Sequence, residues 1–185
     1  MAGTRPLWPV VLPGLKLNRD LAAGRYPLVD AVQGLETSPP LARVFGGADR
    51  LVEELPTIPF MVADVWGYMW VDDESGTLSA ALPYWRTGEE LHLYLDLVHE
   101  LVHVKQHRDG KDLFDHRFKY VARPTEVEAY RIAVEEGRRL GMTDEDLVDF
   151  LYVEWISKRD HLELCRACDV PVPEGHKGGP LKARS

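Results

Sequence analysis

His99-Glu100-Leu101-Val102-His103, set inside the apolar-periodic run of residues 89–107, is the stretch from which the rest of this chain is read. Leu91, Leu95, Val98 and Val102 recur at helical spacing, so the run predicts a helix of about 20 residues. Thr87 with Glu90 three residues later has the form of a capping box at its start, and Asp109 and Gly110 end it. On that helix His99 and His103 project from one face, at a spacing that lets two imidazoles bind a single zinc ion. Glu100 lies about 100 degrees round the helix from His99, where it can flank a metal as a base without binding it. His103 and His107 repeat the spacing, but Val104 stands in the base position, so only the earlier pair offers complete chemistry.

Upstream, residues 1–47 are punctuated by proline and glycine, which favours short helices and packed loops. Residues 48–55 predict a short helix stopped by Pro56. From residue 59 to 85 the chain is rich in Val, Trp, Tyr, Met and Leu, interrupted at residues 72–76, which predicts a hairpin with strands near 65–71 and 77–84. Downstream, a helix is expected from Pro124 and Thr125 to about Leu140, with Gly141 as its stop. Another follows, capped by Thr143, with Lys158 and Arg159 suiting its C-terminal end. One domain is expected over residues 1–169, with a flexible tail over 170–185 and no internal repeat.

Composition narrows the function classes. The chain has 185 residues, 45% hydrophobic and 28% charged, which suits one domain with a core. A net charge of -8 without clustered Lys or Arg argues against a nucleic-acid or anionic-membrane partner. The apolar stretch of residues 7–15 is broken by Pro9, Pro13 and Gly14 and makes a poor signal sequence, and no run reaches the roughly 20 apolar residues of a membrane span. A soluble cytoplasmic protein is the expectation.

A catalytic zinc takes three protein ligands and leaves a fourth position for water. The third ligand must come from elsewhere, and Pro124-Thr125-Glu126-Val127-Glu128-Ala129-Tyr130 opens the next helix with two carboxylates. Here the chain resembles the zincin-like metallopeptidases of the gluzincin type, whose HExxH helix is followed roughly 20 to 40 residues later by a glutamate ligand. In several of those families the later motif is close to Glu-x-x-Ala-Asp. Matching Ala129 to its alanine implies Glu126 as the ligand and puts Tyr130 where those families have aspartate, a departure from the pattern. Glu128 stays open as a rival, although Thr125 and Glu128 form a second capping-box pattern that would give it a structural role.

The resemblance covers residues 96–133 and implies a zincin-like α+β fold: a small N-terminal antiparallel or mixed sheet packed on the HExxH helix, then further helices. In such folds an edge strand pairs with an extended substrate, and residues 77–85 occupy that place. It further implies zinc held by His99, His103 and Glu126, with Glu100 as the catalytic base in cleavage of a peptide or small amide. Tyr120, His116 and Tyr130 are candidates for the donor to the tetrahedral oxyanion. The alternative is a catalytically silent zinc-binding regulatory or interaction domain of the same fold.

Other features have plainer readings. His92 and Asp96 fall near the His99 stripe and are read as solvated or as hydrogen-bond partners of a ligand. Cys165 and Cys168, with His161 and His176, give a weak second-metal signal and are read as ordinary thiols on a terminal helix. Trp8, Trp66, Trp70, Trp85 and Trp155 are read as core and strand packing.

Overall fold

Alternating burial along residues 59–63, with Phe60 and Val62 inward, marks the strand that anchors the sheet. The computed structural model describes residues 14–181; Trp8 and residues 7–13 of the N-terminal apolar stretch lie outside them. In chain order the described residues form β1 (Lys16–Leu17), β2 (Gly24–Pro27), α1 (Leu28–Ala31), β3 (Val32–Gln33), α2 (Pro39–Val44), α3 (Ala48–Glu54), β4 (Pro59–Ala63), β5 (Met69–Val71) and β6 (Leu78–Ala81). The helices α4 (Leu82–Thr87), α5 (Glu90–Arg108), α6 (Pro124–Arg139), α7 (Asp144–Phe150) and α8 (Lys158–Ala167) follow. The main sheet has the order β2-β4-β6-β5 and is mixed: β4 and β6 are parallel, and the other pairs are antiparallel. The chain is therefore a mixed α+β fold with small sheets.

Helix α5 is the centre of the molecule. It packs along α6 and against α2, β5 and β6, and every residue from Leu97 to Val104 is buried. A helix covered on all sides draws its stability from packing, and Leu93, Leu95, Leu97, Val98 and Leu101 are fully enclosed in the core. The two histidines and Glu100 thus sit on the most enclosed helix of the fold.

Several local expectations are corrected. Residues 77–84 are not one strand: β6 stops at Ala81 and α4 begins, because Pro83 suits the first turn of a helix and cannot donate within a sheet. Nor are residues 77–85 at an edge; β6 lies between β4 and β5, and β5 is the edge strand beside α5. Thr87 does not cap α5. Its hydroxyl donates to the Pro83 carbonyl, and Glu89 is the cap, accepting from the His92 N–H at 2.9 Å. The helix expected to end at Lys158 and Arg159 breaks after Phe150, and Ser157 caps a new helix by accepting the Asp160 N–H at 3.1 Å. The Thr143 cap forms as a full capping box with Asp146. Among the tryptophans Trp85 is core, whereas Trp66 is 92% and Trp155 59% exposed.

Two close approaches fix the flanks of α5 and α8. Gly76, in the β5–β6 turn at φ +64°, leaves room for His107, whose Nδ1 would lie 2.6 Å from a Cβ there; His107 Nε2 meets the Asp73 carbonyl at 2.9 Å. Residues 170–181 run back across α7 and α8. The Gly179 N–H donates to His161 Nδ1 at 3.1 Å, and a Cβ on Gly178 would meet the Lys158 carbonyl oxygen at 2.2 Å. Among the described residues no helix is long and apolar enough to cross a membrane.

Candidate metal centre

The i,i+4 spacing on α5 brings His99 Nε2 and His103 Nε2 within 3.0 Å of each other. Glu126, in the first turn of α6, points Oε2 at both, 3.4 Å from each. All three residues are buried, with His99 6% exposed and Glu126 7%. Glu128 does not join them: its Oε2 binds Lys111 Nζ at 2.7 Å and Gln106 Nε2 at 2.8 Å on the outer side of α6. The Thr125–Glu128 capping box is also not formed, since the Thr125 hydroxyl turns inward to the Leu113 carbonyl.

Hydrogen bonding fixes the protonation of part of the cluster. Gln106 Nε2 faces two acceptors, the Thr125 carbonyl at 3.0 Å and Glu128, so its Oε1 is the atom turned to His103 Nδ1 at 2.7 Å. His103 must then donate from Nδ1, which in the neutral ring leaves its Nε2 lone pair facing Glu126, whereas His99 Nδ1 is buried without a partner. Glu126 Oε2 has no hydrogen-bond partner of its own. The buried acceptors His103 Nε2 and Glu126 Oε2, facing each other, call for a cation between them, either a proton or a metal. The triangle of 3.0, 3.4 and 3.4 Å is of a size that a metal ion could share. Tetrahedral zinc with bonds of about 2.05 Å has ligand edges of about 3.3 Å, whereas an octahedral site at the same bond length has cis edges of about 2.9 Å. Among the described residues this is the one group of three such side chains close enough to share an ion.

Charge behaves accordingly in the metal-free protein. Burial pushes the His99 imidazole down. Burial also opposes charge on His103, but Glu126, Glu100 and Gln106 outweigh it and raise its pKa to about 9. Glu126 is held well below the usual carboxylate range: burial alone would raise it, and the hydrogen bonding and charge of His103 and His99 prevail. Glu100 lies outside the triangle on the adjacent face. Burial, with Glu126 and Asp96 nearby, pushes its carboxyl up to about 8, against the pull of His103 and a Val71 backbone hydrogen bond.

Two cavities meet at the cluster. One, about 160 Å³, is lined by aromatic side chains together with Glu89, His92 and Asp96; the other, about 170 Å³, is bounded by Trp70, Val71, Leu113 and Phe114. His99, Glu100 and Tyr120 border both. The Tyr120 and Tyr130 hydroxyls pair at 2.8 Å, and the Tyr130 ring packs on His99 at 4.2 Å between centroids. His116 is exposed and borders neither cavity. Asp96 accepts a short hydrogen bond from the Tyr84 hydroxyl, and His92 lies near Glu89 at 4.0 Å.

Two supporting residues escaped the sequence reading. Gln106 is three residues after His103 on the same helical face, a spacing that identifies a neighbour once the ligand is known. Arg123, buried just before α6, places Nη1 3.7 Å from Glu126 Oε1 and so steadies the oxygen turned away from the histidines. Among the described residues Cys165, Cys168, His161 and His176 form no second group close enough to share an ion, in keeping with ordinary thiols. His161 uses both nitrogens, on the Val148 carbonyl at 2.9 Å and the Gly179 N–H, and Cys165 and Cys168 are buried free thiols.

These residues define a mixed α+β protein whose central helices carry a buried two-histidine, one-carboxylate cluster able to hold a metal ion. No known protein family, curated protein or solved structure matches the chain.

Proposed function

We propose that the protein is a zinc-dependent hydrolase of peptide or amide bonds, organised like the gluzincins that its HELVH and TEVEAY segments resemble. The convergence of His99, His103 and Glu126 at near-tetrahedral spacing, with Glu100 on the adjacent face, carries this reading. When bound, zinc supplies an activated water, with a pKa near about 7, and polarises the carbonyl under attack. Glu100 is the base that takes the water proton and returns it to the departing amine, a role suited to a buried carboxylate on the face adjacent to the cluster. Gln106 fixes the His103 tautomer, and Arg123 fixes Glu126. Tyr120 is the donor to the developing oxyanion. It borders both cavities, and burial keeps its hydroxyl protonated.

The test is metal analysis with peptide-library digestion. Protein from zinc-sufficient medium should carry one zinc per chain, and Glu100→Gln should keep it while losing at least roughly 100-fold in hydrolysis. Metal-free wild-type protein would refute zinc binding. Zinc retained with no hydrolysis by the wild type would leave the silent regulatory or interaction domain as the function.

A further inference from the structure

The cavity of about 170 Å³ that borders β5 and the metal ligands is lined by two unlike sets of side chains. One set is the three ligands with Glu100 and Tyr120; the other is Met69, Trp70, Val71, Leu113, Phe114 and Trp155. The second set comes from three separate parts of the chain: the edge strand β5, the segment after α5 and the segment between α7 and α8. Its exposure is graded. Val71 and Leu113 are buried, whereas Phe114 is 44% and Trp155 59% exposed, so the cavity deepens from the second pair toward the first. Among the described lining residues there is no lysine, arginine or aspartate.

That lining selects for an apolar group. At about 170 Å³ the cavity has the volume of about six waters, and a water is held inside a protein only where about two to four polar groups meet it. The ligands and Glu100 can hold water on their side, whereas Met69, Val71, Leu113 and Phe114 offer no strong donor or acceptor. Water beside those four is readily displaced, and an apolar group that displaces it gains affinity. Size agrees, since an apolar cavity of about 150 Å³ is enough for a benzene ring. A lysine or glutamate side chain would instead lose hydration against the same four residues with no hydrogen bond in return.

We propose that this cavity is an apolar subsite, taking a substrate side chain of the size of phenylalanine, leucine or methionine and so placing the amide bond next to it at the metal centre. The subsite rests on the hydrolase reading for its role in turnover. Its occupancy does not.

Calorimetry on the metal-free full-length protein reads binding with no turnover. The probes are N-acetyl-phenylalanine amide, N-acetyl-alanine amide and N-acetyl-lysine amide, which share a backbone and differ in the side chain offered. The phenylalanine probe should bind at least roughly tenfold tighter than either of the others. Val71→Phe, which fills the buried end, should reduce that ratio to below about threefold, and Phe114→Ser, which strips the open end, should reduce it in part. Melting curves check that each variant folds, and Phe114 is exposed enough for its variant to fold even where Val71→Phe does not. Val52→Ser, at a similarly exposed apolar position on α3, should leave the ratio unchanged. No binding of the phenylalanine probe, equal binding of the alanine or lysine probe, a ratio unchanged in every folded cavity variant, or an equal fall in Val52→Ser would overturn the subsite. Where the protein cleaves a peptide library, the residue beside the cut should be apolar, and cleavage indifferent to that residue would overturn the placement of the bond. Apolar preference in a protein that hydrolyses nothing would refute the hydrolase and leave the subsite standing. Hydrolysis without apolar preference would do the reverse.

Discussion

Replacing Gln106 with methionine keeps the length of the side chain and removes its polar atoms, which isolates what the amide does for His103. Gln106 is 2% exposed and makes three hydrogen bonds, at 2.7, 3.0 and 2.8 Å. At about 1 kcal/mol each, their loss costs about 3 kcal/mol of stability, a fall in Tm of roughly 6–12 °C for a chain of this size. The larger consequence is for the metal. Without an acceptor at Nδ1, His103 is free to take the tautomer with its proton on Nε2, which faces Glu126 and excludes an ion. Zinc affinity should fall about 10–100-fold, or about 1.4–2.7 kcal/mol, measured by competition with a chromophoric chelator near neutral pH. Glu128→Gln, altered on the solvent side of the same amide, should change affinity less than about threefold. Equal zinc affinity in Gln106→Met and wild type, with the Tm lowered, would show that the amide serves packing alone and would refute the tautomer argument.

Three further outcomes are expected. Glu126→Gln should lose stoichiometric zinc while Glu128→Gln retains it, read by metal analysis after gel filtration; the opposite pattern would reassign the third ligand. Glu136 is fully buried and holds Tyr94 at 2.5 Å and the half-exposed Arg139 fork at 2.7 and 2.8 Å, so Glu136→Ala should cost about 2–3 kcal/mol in urea unfolding, and a loss below about 1 kcal/mol would contradict it. Burial pushes the Cys165 thiol up to about 11 and the Cys168 thiol up to about 12. Both raised values favour the neutral thiol of the fold. Their contribution to stability is therefore complete below the unfolded thiol pKa and declines as pH rises from there toward 11–12. At pH 8 neither should react with a disulfide reagent until the protein is unfolded, and rapid labelling of the native state would overturn that burial.

The parts of this fold that could be read from sequence are those set by local periodicity. Helix α5, its histidine face and the start of α6 follow from spacing that any window of the chain displays. The choice between Glu126 and Glu128 needed the packing of α6 on α5, because both carboxylates lie in its first turns and only the crossing of the two helices says which one faces inward. The strand order could not be read either. Residues 77–81 are apolar enough for any sheet position, and their central place depends on parallel pairing with β4, a contact across the intervening β5. Trp155 and Tyr68 line the cavity beside Glu100 through a ring contact between segments far apart in the chain, which no local pattern announces.

The enclosure of α5 ties the life of the site to the life of the fold. Its amides from Leu97 to Val104 belong to the last structure to open, so they should exchange with solvent only through global unfolding, and loss of the metal centre on heating should coincide with loss of the native state. A surface loop bearing the same ligands could fray and re-form without the rest of the molecule. With its ligands on the most enclosed helix, the site should be assembled only in molecules whose core is already folded.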